Sequence, residues 1–315
     1  MLISFIIPHK GREELLALTV KSILEQDYPH SEMEVVIVTQ NKTLTDPAIS
    51  STPSLSIKHV FRPENETIST LRNIGTTHAS GQYFAFLDAD IELSPNWVQS
   101  MTSELQSDSS RVLVSAVQRC TEDAPALEKI RTALSNAAID CNVRFLPGRN
   151  LLLDKSTFTS AGGFPEHLVT CEDYYFTDKV HALGHLYYSS KANYIHLGED
   201  KLYNEMFHKE IWRGQSNLQS IKGRPIPLSE LPSFLVPVWV LLFFLVTVIG
   251  LLTQHVDVAL MGLGITLLPI VIYSIRLHSI ASGKVRFIDI LKFYITYFPA
   301  RIIGTISGLF KVIHV

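Results

Sequence analysis

The sequence predicts an α/β fold: a mixed, mostly parallel sheet flanked by helices, followed by a C-terminal transmembrane helical hairpin. Three observations carry this. Strand-like and helix-like apolar patterns alternate from Ile3 to about Gln219, as chains of β-α-β units do. The apolar run Tyr83-Phe84-Ala85-Phe86-Leu87 stops abruptly at Asp88-Ala89-Asp90. Two later runs, Phe234 to Leu252 and Val258 to Ile275, contain no charged residue.

The elements follow in order. Ile3–Ile7 is a short strand stopped by Pro8. Glu13 to Gln26 is helical because Leu16, Val20, Ile23 and Leu24 share a face, and Asp27-Tyr28-Pro29 ends it. Glu34–Val38 and Ser56–Phe61 are the next strands. Thr67 to Ala79 is a helix, broken by Ser80-Gly81 before the strand Tyr83–Leu87. Arg111–Gln118 is a strand, Ala124–Ala138 a helix, and Asn150–Leu153 a strand that leads to the turn Gly162-Gly163-Phe164. Glu172-Asp173 opens a helix running to Leu183, where acids suit the positive end of the helix dipole. Tyr187-Tyr188 and Asn193–His196 are short strand-like pieces, Glu199 to Gln219 is a polar helix, and Ile226–Pro232 is a linker. In such a sheet Pro8-His9-Lys10, Thr39-Gln40-Asn41 and Asp88-Ala89-Asp90 fall along one carboxyl edge, where ligands bind.

The uncharged runs are each about 18–19 residues, roughly 28 Å as helix, which matches a bilayer core. A core helix of that length shows a polar face, and Phe234 to Phe244 shows none. Lys222 and Arg224 precede the first span, Arg276, Lys284 and Arg286 follow the second, and the connector Thr253–Asp257 has no Lys or Arg. Cation excess therefore places both flanks in the cytoplasm. The predicted division is a cytoplasmic domain over 1–228 and a membrane domain over 229–315, with spans at about 234–252 and 258–275. A further helix at about 287–312 carries Asp289, Lys292, Arg301 and Lys311 around Pro299, an interfacial helix or a tilted third span. Met1-Leu2 leads straight into the strand Ile3–Ile7 without a basic stretch or a cleavage site, so secretion is not expected. With 27 Lys+Arg against 30 Asp+Glu, the net charge of -3 gives no footprint for nucleic acid. Cys120, Cys141 and Cys171 lack metal-binding spacing and read as reduced thiols.

Side chains alternate along an extended segment, so Asp88 and Asp90 are expected to point the same way. A divalent cation bearing phosphate oxygens relieves their repulsion; a solvated acidic turn is the competing reading. His196 is a candidate third ligand or diphosphate contact, against a hydrogen-bonded core histidine. Arg213 is a candidate to neutralise phosphate, against a helix-surface ion pair. Lys10 and Arg12 either attract phosphates or solvate a loop. Trp97 reads as core; Trp212 reads as packing or a stacking surface for substrate. His181 and His185 lack a third ligand nearby, so zinc is not expected.

Taken in order, Ser4-Phe5-Ile6-Ile7-Pro8, Leu71-Arg72-Asn73-Ile74-Gly75, Gly81 to Asp90, Gly162-Gly163-Phe164 and Glu172-Asp173 resemble family 2 glycosyltransferases of the GT-A fold, over about residues 3 to 220. The hairpin is similar to that of membrane-anchored members. The resemblance implies that Asp88 lies by the nucleotide's ribose and metal, and that Asp90 ligates Mg²⁺ or Mn²⁺ on the diphosphate. It implies that Asp173 is the general base of an inverting reaction, with Glu172 orienting the acceptor side. Pro8 and His9 match contacts to the base, Arg72 and Asn73 lie beside the nucleotide, and Ile211-Trp212-Arg213-Gly214 resembles a segment near the diphosphate. One departure matters: many members carry Asp at the end of the second strand, where this chain has Asn41. Asn both donates and accepts, so UDP is favoured with GDP or dTDP behind it.

The expected function is metal-assisted transfer of a sugar from a nucleotide sugar to a hydroxyl of a lipid-linked or polysaccharide acceptor. It would proceed at the cytoplasmic face of a membrane, expected to be a bacterial inner membrane, with membrane lipid as a further partner. The rivals are a polyprenyl-phosphate glycosyltransferase and a catalytically silent nucleotide-sugar-binding scaffold.

Overall fold

The computed structural model describes residues 1–50, 52–215, 228 and 231–313. Its elements run β1 (Ile3–His9), α1 (Glu13–Leu24), β2 (Met33–Thr39), β3 (Ser56–Phe61), α2 (Ile68–His78), β4 (Tyr83–Leu87), β5 (Ile91–Leu93), α3 (Trp97–Gln106), β6 (Arg111–Arg119), α4 (Ala126–Ser135), β7 (Cys141–Val143), β8 (Asn150–Asp154), α5 (Lys155–Ala161), α6 (Glu172–His181), β9 (His185–His196), α7 (Tyr203–Gly214), α8 (Leu231–Leu252), α9 (Val256–Ile280) and α10 (Phe287–Ile313). They form two compact units, one of residues 1–120 and 138–199, the other of 121–137 and 200–315.

In the first unit the described strands make one sheet of order β3-β2-β1-β4-β8-β6-β9-β5, with β7 on β9. The pairs β1–β2, β1–β4, β2–β3 and β6–β9 are parallel; β8 runs antiparallel to β4 and β6. This is the GT-A-like mixed sheet that the sequence predicts. Alternate residues of β1 go to opposite faces, as strand pleating requires. Ile3, Phe5 and Ile7 join a core with Leu16, Val20 and Ile23 of α1 and Trp97 and Met101 of α3. Ile6 joins the other, with Leu71, Phe84, Phe86, Phe158, Phe164 and Phe176. Both faces are therefore covered, which is why the central strands read as unbroken apolar runs.

Several elements depart from the sequence reading. Tyr187-Tyr188 and Asn193–His196 belong to one strand, β9, whose pairing to β6 shifts register between Ala116 and Val117. The irregularity explains why its period-2 pattern breaks. The short β5, β7 and α5 are too brief to show a period, and α3 was not anticipated although Trp97, Met101 and Leu105 recur at i, i+4 and i+8. Trp97 is fully buried, as expected, and donates from Nε1 to Asn150 Oδ1 at 3.2 Å. The polar helix begins at Tyr203 instead of Glu199, and Gln219 and most of the linker lie outside the described residues.

The second unit takes in more of the chain than a break at 228 allows. Leu127 and Ile130 of α4 and Met206 of α7 share a core with Ile270 and Leu277 of α9 and Ile290, Phe293 and Phe298 of α10. These helices turn their apolar stripes onto the C-terminal helices. α8 and α9 are long and apolar enough to cross a membrane, and only 22% and 28% of their most apolar stretches is buried within the protein. A soluble core helix would be covered; these present Leu242, Phe244, Leu245, Leu260 and Ile272 outward. α10 continues as one helix through Pro299 and carries Asp289, Lys292 and Arg301.

Candidate active site

The carboxyl ends of β1, β2 and β4 converge as the topology demands. Pro8 and His9 are buried at the end of β1, with His9 Nδ1 2.9 Å from Thr39 Oγ1. His9 Nε2 is buried without a hydrogen-bond partner, and burial holds the imidazole pKa below its usual value. Asn41 clamps the next loop: Gly11 N donates to Oδ1 at 2.7 Å, and Nδ2 donates to Gly11 O at 2.9 Å. An Asp there would lose the second bond, which gives the Asp-to-Asn departure a structural meaning. Beyond β2 and β3 opens a cavity of about 380 Å³ lined by Gln40, Asn41, Lys42, Phe61, Arg62, Pro63 and Glu64. Phe61 and Arg62 went unnoticed in the sequence, where a strand-end aromatic and a loop cation carry no motif.

The acid pair sits differently from the expected strand alternation. β4 stops at Leu87 and Ala89-Asp90 form a turn, so separate partners place the two carboxylates. Arg72 Nη2 donates to Asp88 Oδ1 at 2.9 Å. Arg12 Nη2 donates to Asp90 Oδ2 at 2.8 Å, and His196 Nε2 lies 3.3 Å from Asp90 Oδ1.

Arg72 ties this edge to the start of α6. It is 1% exposed, and its Nη1 donates to Glu172 Oε1 at 2.9 Å, while its guanidinium lies 4.9 Å from the Phe164 ring centroid. Gly148 N donates to Asp173 Oδ2 at 3.3 Å, and a Cβ on Gly148 would come 3.0 Å from Arg72 Nη2. Asp88, Glu172 and Asp173 thus surround one guanidinium. Burial and the neighbouring Asp173 push the Glu172 carboxyl up to about 7, against the opposing pull of Arg72.

Asn73 has a positioning job. Its Nδ2 donates to Phe164 O at 2.9 Å and Glu166 Oε1 at 2.8 Å, while Oδ1 accepts from Phe164 N at 2.9 Å. It pins the Gly162-Gly163 turn, whose φ values of 83° and 74° suit glycine. Trp212 and Arg213 fold with the helical unit: Trp212 is half exposed and Arg213 Nη1 donates to Glu210 Oε1 at 2.6 Å.

Among the described residues no three His, Cys, Asp or Glu groups form a ready cation cluster. The donor set at Asp90 nevertheless fits a divalent ion. His196 Nδ1 is 3.1 Å from Glu199 Oε2, and a carboxylate can only accept, so Nδ1 carries the proton. Burial disfavours the charged imidazole, but the hydrogen bonds to Asp90 and Glu199 outweigh it and hold its pKa above the usual value. A divalent ion entering beside Asp90 would take Nε2 in place of a proton, with Asp90 Oδ1 as its neighbour in the donor set. Mg²⁺ and Mn²⁺ sites of this kind are completed by substrate phosphates.

The model of glycosyl transferase family 2 matches residues 4–164. Glycosyltransferase AglE of Haloferax volcanii is 22% identical over 251 residues, covering 77% of this chain and 81% of that protein. Validoxylamine A glucosyltransferase of Streptomyces hygroscopicus subsp. limoneus is 33% identical over 103 residues, covering 32% of this chain and 23% of that protein. Among solved structures, mannosyltransferase PcManGT from Pyrobaculum calidifontis, in complex with GDP-Man and Mn²⁺, superposes with a TM-score of 0.65 at 16% identity, covering 98% of this chain and 87% of that one. The likeness to that structure is one of fold.

Proposed function

The chain belongs to glycosyl transferase family 2, and from that premise we propose that it is an inverting, metal-assisted transferase. It moves a sugar from a nucleotide diphosphate to a hydroxyl of a lipid-linked or polysaccharide acceptor. The observation that carries this reading is the Arg72 bridge, which joins Asp88 on the nucleotide edge to Glu172, with Asp173 adjoining through Gly148.

The chemistry follows from the side chains. Asp173 removes the proton from the acceptor hydroxyl as its oxygen bonds to the anomeric carbon, while the bond from that carbon to the diphosphate breaks. With base and leaving group on opposite sides, the configuration inverts. Asp90 and His196 would hold Mg²⁺ or Mn²⁺, which would supply Lewis-acid stabilisation of the leaving diphosphate. Arg12, already on Asp90, is the cation best placed to meet the donor's phosphates. The base contacts Pro8, His9 and the Asn41 loop. The helical hairpin anchors the enzyme, with its catalytic unit at the cytoplasmic face of a bacterial inner membrane, near a lipid-borne acceptor.

UDP is the favoured nucleotide; the GDP-Man bound to PcManGT makes GDP-mannose the second to test. The test is a thermal-shift screen of the full chain in detergent with Mn²⁺ and UDP-, GDP- and dTDP-sugars, since a ligand of the folded state raises Tm by mass action. Asp173→Asn is expected to keep the donor-induced shift and lose transfer by more than about 100-fold. Unchanged turnover in that variant would remove Asp173 as base, and the absence of any nucleotide-sugar shift would overturn the donor assignment.

A further inference from the structure

The segment His196–Glu199 lies beyond the residues matched by the family model, and its side chains form a relay. His196 is 9% exposed and Glu199 5%. Glu199 Oε2 accepts from His196 Nδ1 at 3.1 Å and from Gln118 Nε2 at 3.1 Å. Gln118 Oε1 in turn accepts from Arg149 Nη2 at 2.9 Å, and Arg149 Nε donates to Tyr194 Oη at 2.9 Å. Every member is anchored on β6, β8 or β9 or directly beside them, so the carboxylate cannot wander. The loop closes on Asp90: Leu197 N donates to Asp90 O at 2.8 Å. A Cβ on Gly198 would sit 2.0 Å from Asp90 Oδ2, so only glycine admits this approach.

Such a buried carboxylate on the far nitrogen of a histidine orients metal-ligating imidazoles generally: it fixes the tautomer, aims the ring and raises its basicity. We propose that Glu199 is a positioning residue that holds His196 with Nε2 aimed at Asp90, so that the imidazole is a direct ligand of the bound divalent cation. This rests on the metal-assisted reading above and extends it to a residue that touches neither substrate nor cation. Gln118 and Arg149 keep the Glu199 carboxylate in place, and its contact with Nδ1 fixes the direction in which Nε2 points. Asp88 is held differently, by Arg72, which also faces the α6 acids.

The experiment uses the full chain in detergent with Mn²⁺ as the probe, with and without UDP, and needs no turnover. Mn²⁺ affinity is measured by room-temperature EPR, and three-pulse electron spin-echo modulation reports a directly bound nitrogen. Wild type is expected to show ¹⁴N modulation that His196→Ala lacks. Glu199→Ala is expected to weaken Mn²⁺ binding by about 10–100-fold, whereas Glu199→Gln, whose Oε1 still accepts from Nδ1, stays close to wild type. Thermal melting checks that each variant is folded. Equal Mn²⁺ affinity in folded Glu199→Ala would overturn this inference alone, whereas Mn²⁺ bound to wild type without ¹⁴N modulation would overturn it together with the His196 ligation proposed above. A wild type that binds no Mn²⁺ would overturn the metal-assisted reading beneath it. If Glu199→Ala does not fold, Glu199→Asp, one methylene too short to hold Nδ1, takes its place, and unchanged Mn²⁺ affinity in it overturns the role of Glu199.

Discussion

Replacing Glu172 by Gln should change how the stability of this protein depends on pH. Glu172 is nearly buried at the start of α6, beside Asp173 and bonded to Arg72. Its carboxyl is raised from 4.5 to about 7, a shift worth about 3 kcal/mol at 1.36 kcal/mol per unit. Between those values the folded protein holds a proton that the unfolded chain releases. Stability from this group is therefore lost as pH rises from about 4.5 to about 7, and is constant outside that window. Gln has no proton to lose, so the difference between wild type and Glu172→Gln isolates the effect. Relative to the variant, wild type should lose about 3 kcal/mol across the window, or roughly 6–12 °C in Tm for a domain of this size. Melting both proteins in the same detergent from pH 4.5 to 8 measures it. Parallel curves would mean that the Arg72 bond outweighs burial and that Glu172 ionises like an ordinary surface acid.

Other outcomes follow from the same kind of reasoning. Glu210 is a buried acid: burial alone would raise it, but Arg131, Arg213 and Arg301 outweigh that and hold it at about 2. Glu210→Ala leaves those cations facing one another and should cost about 3–5 kcal/mol, read as a lowered Tm; an unchanged melt would show that water or lipid takes over the acid's role. Arg72→Met strands Asp88 and Glu172 together and should also cost about 3–5 kcal/mol, along with the donor-induced thermal shift. If Arg72→Met melts like wild type, the bridge between the two halves of the site is not holding it together.

Much of this molecule was legible in residue order alone. Strands β1, β2, β4, β6 and β8 are largely apolar runs because helices cover both faces of the sheet there, and burial on both faces leaves its mark in composition. The two long apolar helices were equally plain, since each runs uncharged over about the length that a bilayer core requires. β5, β7 and α5 were not legible, being three to seven residues long, too short for a period to establish itself. The kink in β9 hid a single strand as two.

At the site, Asp88, Asp90, Glu172 and Asp173 stood out because acids at a strand end or helix start break an apolar pattern. What joins them was only partly visible: the family resemblance singled out Arg72 as lying beside the nucleotide, but not its bond to Glu172, and Gly148 in a loop and Glu199 just past a strand stand where those residue types are unremarked. Their meaning comes from contacts across 16, 25, 81 and 100 positions of chain. The residue pattern along the chain determines which groups reach the edge of the sheet, because period and hydrophobicity are local properties. Which carboxylate meets which guanidinium, imidazole or amide was decided only when the strands paired, because register and packing bring together side chains that no local rule connects.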